Sequence, residues 1–425
     1  MHQYRRFILL LLLKSVFSFV SATTSGKFST WMTTSIIIRS QGIASTGLGG
    51  SSELLQAGFV QKTFRRLLES GGNINDSRSQ LIAEYITKSV DSIVPRVSNA
   101  TEDALTYPLD RLSNGNNLIA LYNETGNSSY LEAVQALRKS VDLQRRNRED
   151  GLWYYYVYPE WSYLDGMYSF APFHLAYALN QSESDAENMV EDVLHQFSLL
   201  WDHCYNEETG LLVHGYDESL TAVWVNQNDP KKTGASPHVW GRSLGWMMMT
   251  IVDSLEFISS SLSFNSSLSS PEFPTASLEK LHGFLLHRFQ SLSAAILAVA
   301  DNTTGGWFQV VEEPYREGNY IESSASAMFV YSLLKGVRLG FLADSDGPEG
   351  RVYIAAAQKA YRYILATFVV RNETDGTLGY NGTVSVCSLN STASFEYYVN
   401  QPISYNSVLG SAAFILASLE YETLN

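Results

Sequence analysis

With 425 residues, 45% of them hydrophobic and 12% aromatic, the chain can bury one large core or two ordinary ones, which excludes a disordered or fibrous polypeptide. A formal charge of −14 argues against nucleic acid or an anionic membrane as partner. An anionic substrate would therefore need a local cation to draw it in.

Met1 to Ala22 reads as a secretory leader. Arg5 and Arg6 precede an apolar run from Phe7 to Leu13, and Val20-Ser21-Ala22 offers a small-residue cleavage site. Residues 23–425 are expected to form a single domain, with no later stretch long and apolar enough to span a membrane. Ten Asn-X-Ser/Thr sequons, Asn75, Asn99, Asn180 and Asn390 among them, fit a secreted, extracellular glycoprotein. Cys204 and Cys387 are the two cysteines, and composition alone leaves their pairing open.

Apolar periodicity predicts helices at 28–39, 53–69, 80–94, 113–123, 128–145, 164–180, 185–204, 240–261, 275–297, 321–341, 350–369 and 402–422. A polar turn with glycine, followed by an apolar or aromatic run, recurs between them: Arg148-Glu-Asp-Gly-Leu-Trp153, Asn206-Glu-Glu-Thr-Gly-Leu-Leu212, Asp301-Asn-Thr-Thr-Gly-Gly-Trp307 and Asn372-Glu-Thr-Asp-Gly-Thr-Leu378. Each is a short hairpin signal. Twelve helices in consecutive pairs, joined by short hairpin loops, would make six helical hairpins in a ring, an all-α repeat architecture closing on itself with the inner helices facing a central funnel. Ser259 to Pro274 reads as a serine-rich loop within it.

Two stretches carry chemistry. In Trp161-Ser-Tyr-Leu-Asp-Gly-Met-Tyr168, Asp165 stands where an aromatic segment turns into a helix. It serves either as a cap or, with its pKa raised by apolar surroundings, as a general acid. Asp110, in Pro108-Leu-Asp-Arg-Leu112, has the same choice, and two carboxylates at the same end of successive inner helices would converge. In Ser236-Pro-His-Val-Trp-Gly-Arg-Ser-Leu-Gly-Trp246, Ser236-Pro237 is a helix-start signal, and Gly241 and Gly245 allow a close approach. Arg242 and Trp246 share a face, a fork and a flat surface suited to an anionic ring; an aromatic core helix with a solvated arginine is the alternative. His214 falls in a loop on the same rim, although a satisfied structural histidine is the commoner case. Gly241-Arg-Ser243-Leu-Gly245 matches a nucleophile elbow in letters but lacks the preceding strand. No metal or cofactor motif occurs, so no cofactor and no metal are expected.

Trp161-x-x-Leu-Asp-Gly-Met-Tyr with Pro172-Phe, Trp240-Gly-Arg-x-x-Gly-Trp with Val252-Asp-x-Leu-Glu256, and Asn319-Tyr-Ile-Glu-Ser-Ser-Ala-Ser-Ala-Met-Phe329 together resemble glycoside hydrolase family 105, the unsaturated rhamnogalacturonyl hydrolases. Glu396-Tyr-Tyr-Val-Asn400 and Gly410 to Ala417 are similar to that family's last segment. The resemblance implies an all-α (α/α)6 barrel of the six-hairpin glycosidase type with short β-hairpin loops, and a hydrolase that removes a 4,5-unsaturated uronic acid from the non-reducing end of pectin-derived oligosaccharides. It places the catalytic pair on Asp165 and Asp110, and substrate contacts on His214, Trp240, Arg242 and Trp246. Two departures bear on the subsite: Ser243-Leu244-Gly245 replaces the usual Gly-Asn-Gly, and Trp153-Tyr-Tyr-Tyr156 lacks the His-Lys often found after this tryptophan. The expected partner is the oligosaccharide alone, with a monomeric protein and no nucleic acid or membrane. An ordinary inverting glycosidase and a non-catalytic carbohydrate-binding protein are the rival readings.

Overall fold

Helices that alternate between one apolar stripe and near-complete burial belong in two concentric layers, and that is how this chain folds. The computed structural model describes residues 27–44, 52–71, 76–179, 181–268, 274–344 and 352–424; the leader, Asn75 and Asn180 lie outside them. The helices are α1 (Phe28–Ile38), α2 (Glu53–Glu69), α3 (Asp76–Ile93), α4 (Ala100–Thr106), α5 (Gly115–Thr125), α6 (Ser128–Asp142), α7 (Leu164–Ala178) and α8 (Glu183–Cys204), followed by α9 (Gly241–Leu268), α10 (Thr275–Ala298), α11 (Ser323–Arg338), α12 (Val352–Thr367), α13 (Phe395–Val399) and α14 (Val408–Thr423). A 3-10 turn, Leu109–Asn114, leads into α5.

The inner ring is α2, the 3-10 turn with α5, α7, α9, α11 and α14. Each packs on the next, and α14 packs back on α2. Helices α3, α6, α8, α10 and α12 back the first five, and α1 backs α14, so the amino-terminal helix completes the last hairpin. The (α/α)6 expectation is met. Sequence explains the layering: every residue of α11 from Ser323 to Gly336 is buried. Outer α6 buries only a stripe that includes Tyr130, Ala133, Val134, Leu137 and Val141. Strict alternation of outer and inner helices also makes all six inner helices start at the same end.

Among the described residues the loops hold three two-stranded antiparallel ribbons: β1 (Trp161–Tyr163) with β4 (Gly215–Asp217), β2 (Tyr205–Asn206) with β3 (Leu211–Leu212), and β5 (Val369–Arg371) with β6 (Leu378–Tyr380). Two of the four recurrent turns make such ribbons. The turn at 148–153 gives a single bridge, Arg146 to Leu152. The turn at 301–307 is held instead by the Asp301 carboxylate, which accepts from the Thr304 amide and hydroxyl.

Several boundaries move for local reasons. Helix α9 runs on to Leu268 through the supposed serine-rich loop, with Ser261 and Ser263 hydroxyls bonded back to carbonyls four residues earlier. Its start is Gly241, not Ser236-Pro237, because Trp240 is held extended by a bridge to Val310. Helix α14 begins at Val408, since Ile403 bridges Val384 and Asn406 takes a left-handed φ of 59°. Short helices α4 and α13 were not anticipated; side chains of Asn99 and Ser394 cap them. Cys204 and Cys387 are both free and buried. No described helix is long and apolar enough to cross a membrane.

Candidate active site

Because the inner helices start together, their amino-terminal ends surround one cavity of about 240 Å³. Its wall includes Asp110, Asp165, Trp240, Arg242 and Trp246, so five of the six sequence-derived site residues meet there. Helix amino termini carry partial positive charge, so this end favours an anion.

The ribbon β1–β4 brings the sixth residue close. Tyr163 pairs with Gly215, and the Leu164 amide donates to the His214 carbonyl at 3.1 Å, which sets His214 beside the start of α7. Asp165 is the second residue of α7; Tyr163 occupies the cap position, and no side chain caps the helix. The carboxylate is therefore not consumed by its own helix. It accepts the Ser243 hydroxyl at 2.5 Å and lies 3.3 Å from His214 Nε2. His214 is wholly buried, and its Nδ1 lies 2.8 Å from the Tyr398 hydroxyl. If that hydroxyl donates to Nδ1, the imidazole proton sits on Nε2, facing Asp165. The expectation of His214 as a rim contact is thus revised: it stands behind Asp165 and does not line the cavity.

Asp110 is the second residue of the 3-10 turn, again with no side-chain cap. Burial pushes its carboxyl up to about 7, and the charge of Asp165 pushes the same way, while the Tyr154 phenol and Arg111 pull it down. One oxygen, Oδ1, has no hydrogen-bond partner among the described residues. The carboxyl that environment holds near neutrality is therefore Asp110.

Arg242 departs from expectation. Its Nη1 donates to the Val384 carbonyl at 2.5 Å and its Nη2 to the Ser385 carbonyl at 2.7 Å, with the guanidinium 4.8 Å from the Trp240 ring. At 1% exposure, the fork expected for a carboxylate is holding the 384–385 loop against the cavity wall. Trp240 is fixed by Gln309, 3.2 Å from its indole nitrogen, and its ring lies 4.8 Å from His214. Trp246 packs between Phe59 and Tyr168 at the floor, with ring centroids 4.8 and 4.3 Å away. Its indole works as core and as cavity lining together. Gly241 and Gly245 do allow a close approach: a Cβ on Gly245 would stand 2.8 Å from the Met328 sulfur of α11.

Sequence reasoning missed Ser243, dismissed as a nucleophile and found as a donor to Asp165. It also missed Tyr154, Tyr163 and Tyr398. The run Trp153-Tyr-Tyr-Tyr156 was the signal for Tyr154; its ring stacks on Tyr163 at 4.4 Å. Beside the site, His238 Nδ1 lies 2.9 Å from Glu312 Oε1 and 3.3 Å from Glu313. These three could hold a cation by spacing, but Glu312 also accepts the Val239 amide at 3.1 Å, so it fastens the extended segment before α9.

A larger cavity of about 410 Å³ opens at the other end of the inner helices. Lys62, Asp253, Lys335, Glu256 and Arg66 there are ion-paired with one another. Size alone does not locate the chemistry, because those charges already satisfy each other.

Residues 74–425 match the family model for Glycosyl Hydrolase Family 88. The solved structure of a family 105 glycoside hydrolase from C. acetobutylicum superposes with a TM-score of 0.76 at 32% identity, covering 93% of this chain and 99% of that one. Protein Atu3128 of Agrobacterium fabrum is 31% identical over 255 residues, 59% of this chain and 96% of its own length. The unsaturated rhamnogalacturonyl hydrolase YesR of Bacillus subtilis is 22% identical over 297 residues, 68% of this chain and 70% of its own.

Proposed function

Given that this chain belongs to glycosyl hydrolase family 88, on the side shared with family 105, and is a glycoside hydrolase, we propose that it removes a 4,5-unsaturated uronic acid from the non-reducing end of pectin-derived, rhamnogalacturonan-type oligosaccharides. The observation that carries this reading is the pairing of Asp110 and Asp165 in one cavity at the positive ends of the inner helices. The name of the Bacillus subtilis relative supports the choice of saccharide. The leader-like residues 1–22 and the exposed sequons Asn99, Asn302 and Asn390 support secretion.

The chemistry follows from the substrate's enol ether. Asp165 protonates C4 of the ring alkene, and the electron pair of the double bond forms the new C–H bond. The oxocarbenium ion left at C5 is captured by water, whose proton returns to the Asp165 carboxylate, so one group acts as acid and then as base. The resulting hemiketal opens and releases the remaining saccharide. The Ser243 hydroxyl holds Asp165 for both proton transfers, with the His214 ring standing 3.3 Å behind it. Asp110, near neutrality, limits the negative charge facing the substrate and orients the water. The carboxylate-spacing rule for ordinary glycosidases does not apply, because the attack is not at the anomeric carbon.

The test is a reaction in heavy water on lyase-treated pectin oligosaccharides. Deuterium at C4 of the early 5-keto product, with loss of the alkene ultraviolet absorbance in step with cleavage, is the expected result. A surviving alkene with no carbon-bound deuterium would establish direct displacement, the inverting-glycosidase reading. No cleavage of either treated or untreated pectin would leave only a carbohydrate-binding protein.

A further inference from the structure

Among the described residues, the cavity wall carries two cations, Arg96 and Arg242, against the carboxylates of Glu53, Asp110 and Asp165. Arg242 donates both terminal nitrogens to loop carbonyls and is shut away from solvent. Arg96 differs in every respect. It ends the 3-10 turn Val94–Arg96 that follows α3, and 34% of its side chain is exposed. Its Nη1 donates to Glu53 Oε2 at 2.7 Å. Glu53 is the first residue of α2, and only 8% of its side chain is exposed.

That single contact decides the geometry. Nη1 is taken by a nearly buried carboxylate, which orients the guanidinium, and among the described residues no partner meets its Nε and Nη2 edge. Two parallel N–H groups on one edge match the two oxygens of a carboxylate. A lysine in this place would offer a point charge and no fork.

We propose that Arg96 is the specificity residue that reads a sugar carboxylate of the substrate, with Glu53 as its positioning residue. The inference rests on the uronide reading above. The carboxylate comes either from the unsaturated terminal ring or from the sugar that follows it. Because the carboxylate that Arg96 meets carries the same charge in the bound substrate and in the transition state, its loss weakens binding more than turnover.

The experiment compares the wild-type protein with Arg96→Gln and Arg96→Lys on three glycosides: an unsaturated uronyl-rhamnose, its methyl ester, and an unsaturated uronyl-galacturonate. Arg96→Gln is expected to raise KM for a free acid by about 10- to 100-fold, with kcat nearly kept and the methyl ester unaffected. Arg96→Lys should recover part of the loss. A KM effect already present on uronyl-rhamnose assigns the terminal carboxylate; an effect confined to uronyl-galacturonate assigns the second. Equal losses on acid and ester, or no loss on any substrate, would overturn the proposal. If Arg96→Gln fails to fold, the Glu53→Gln/Arg96→Gln protein takes its place, as it also removes the carboxylate that Arg96 meets. Should the wild-type enzyme cleave none of the three, the uronide reading falls by itself. Calorimetric titration with the same ligands then scores Arg96 by acid-versus-ester affinity.

Discussion

Replacing Asp110 by asparagine should make the protein more stable above neutral pH, although the residue lines the candidate active-site cavity. The folded-state carboxyl titrates at about 7, against an ordinary value of 3.8. Between those values the folded protein binds more protons than the unfolded chain, so stability falls as pH rises through the window and levels off above it. The shift is about 3 units, which at 1.36 kcal/mol per unit sets a ceiling of ~4 kcal/mol, and local relaxation leaves ~2 kcal/mol as the working expectation. Asparagine keeps the shape of the neutral acid and has no proton to lose. Urea unfolding at 25 °C should therefore place Asp110→Asn above wild type at pH 8, with the gap nearly closed at pH 4. Asp103, also pushed up to about 7 by burial, adds to the wild-type slope. The difference between variant and wild type cancels it. A gap of the same size at pH 4 and pH 8, or a less stable variant at pH 8, would refute the reasoning.

Asp165→Asn should fold normally and lose at least ~10²-fold in kcat, the scale for removing a general acid–base group, checked by alkene absorbance. Ser243→Ala removes the 2.5 Å donor to Asp165 and should lower kcat by roughly 10-fold with little change in KM; an unchanged kcat would make the hydroxyl incidental. Gly245→Ala forces a Cβ to within 2.8 Å of the Met328 sulfur and should destabilise by about 1–3 kcal/mol in the same urea assay. KM for an anionic substrate should climb as pH passes about 7, where Asp110 ionises, and Asp110→Asn should flatten that rise.

The barrel was legible because its evidence is periodic and local. Twelve apolar helices separated by glycine turns specify layers, and the shifts at Gly241 and Val408 come from single bridges to Val310 and Val384, pairings across long sequence separations. The positions of Asp110 and Asp165 were legible for the same reason, since each stands at a helix start. What each side chain does there was not. The capping alternative could be discarded only by seeing that neither carboxyl accepts from its own helix amides. Arg242 misled because sequence shows the donors and not the acceptors: the Val384 and Ser385 carbonyls lie about 140 positions downstream. Arg96 passed unnoticed because it belongs to no motif, and its exposure is meaningful only beside the burial of Arg242.

Placement of charge explains how a chain of net charge −14 can receive an anion. Were every carboxyl ionised, Glu53, Asp110 and Asp165 would outnumber Arg96 and Arg242 by one; a proton on Asp110, whose carboxyl is pushed up to about 7, removes that excess before Asp165 takes up the proton it delivers. The inner-helix amino termini then tip the balance toward positive, each equivalent to roughly half a charge, and do so without an exposed lysine to be screened. At the opposite mouth the cations Lys62, Arg66 and Lys335 meet the carboxylates of Asp253 and Glu256 at close range. The carboxyl-terminal helix ends offset the positive excess there. One architectural fact, the common direction of the six inner helices, therefore favours an anion at the mouth that holds Asp165.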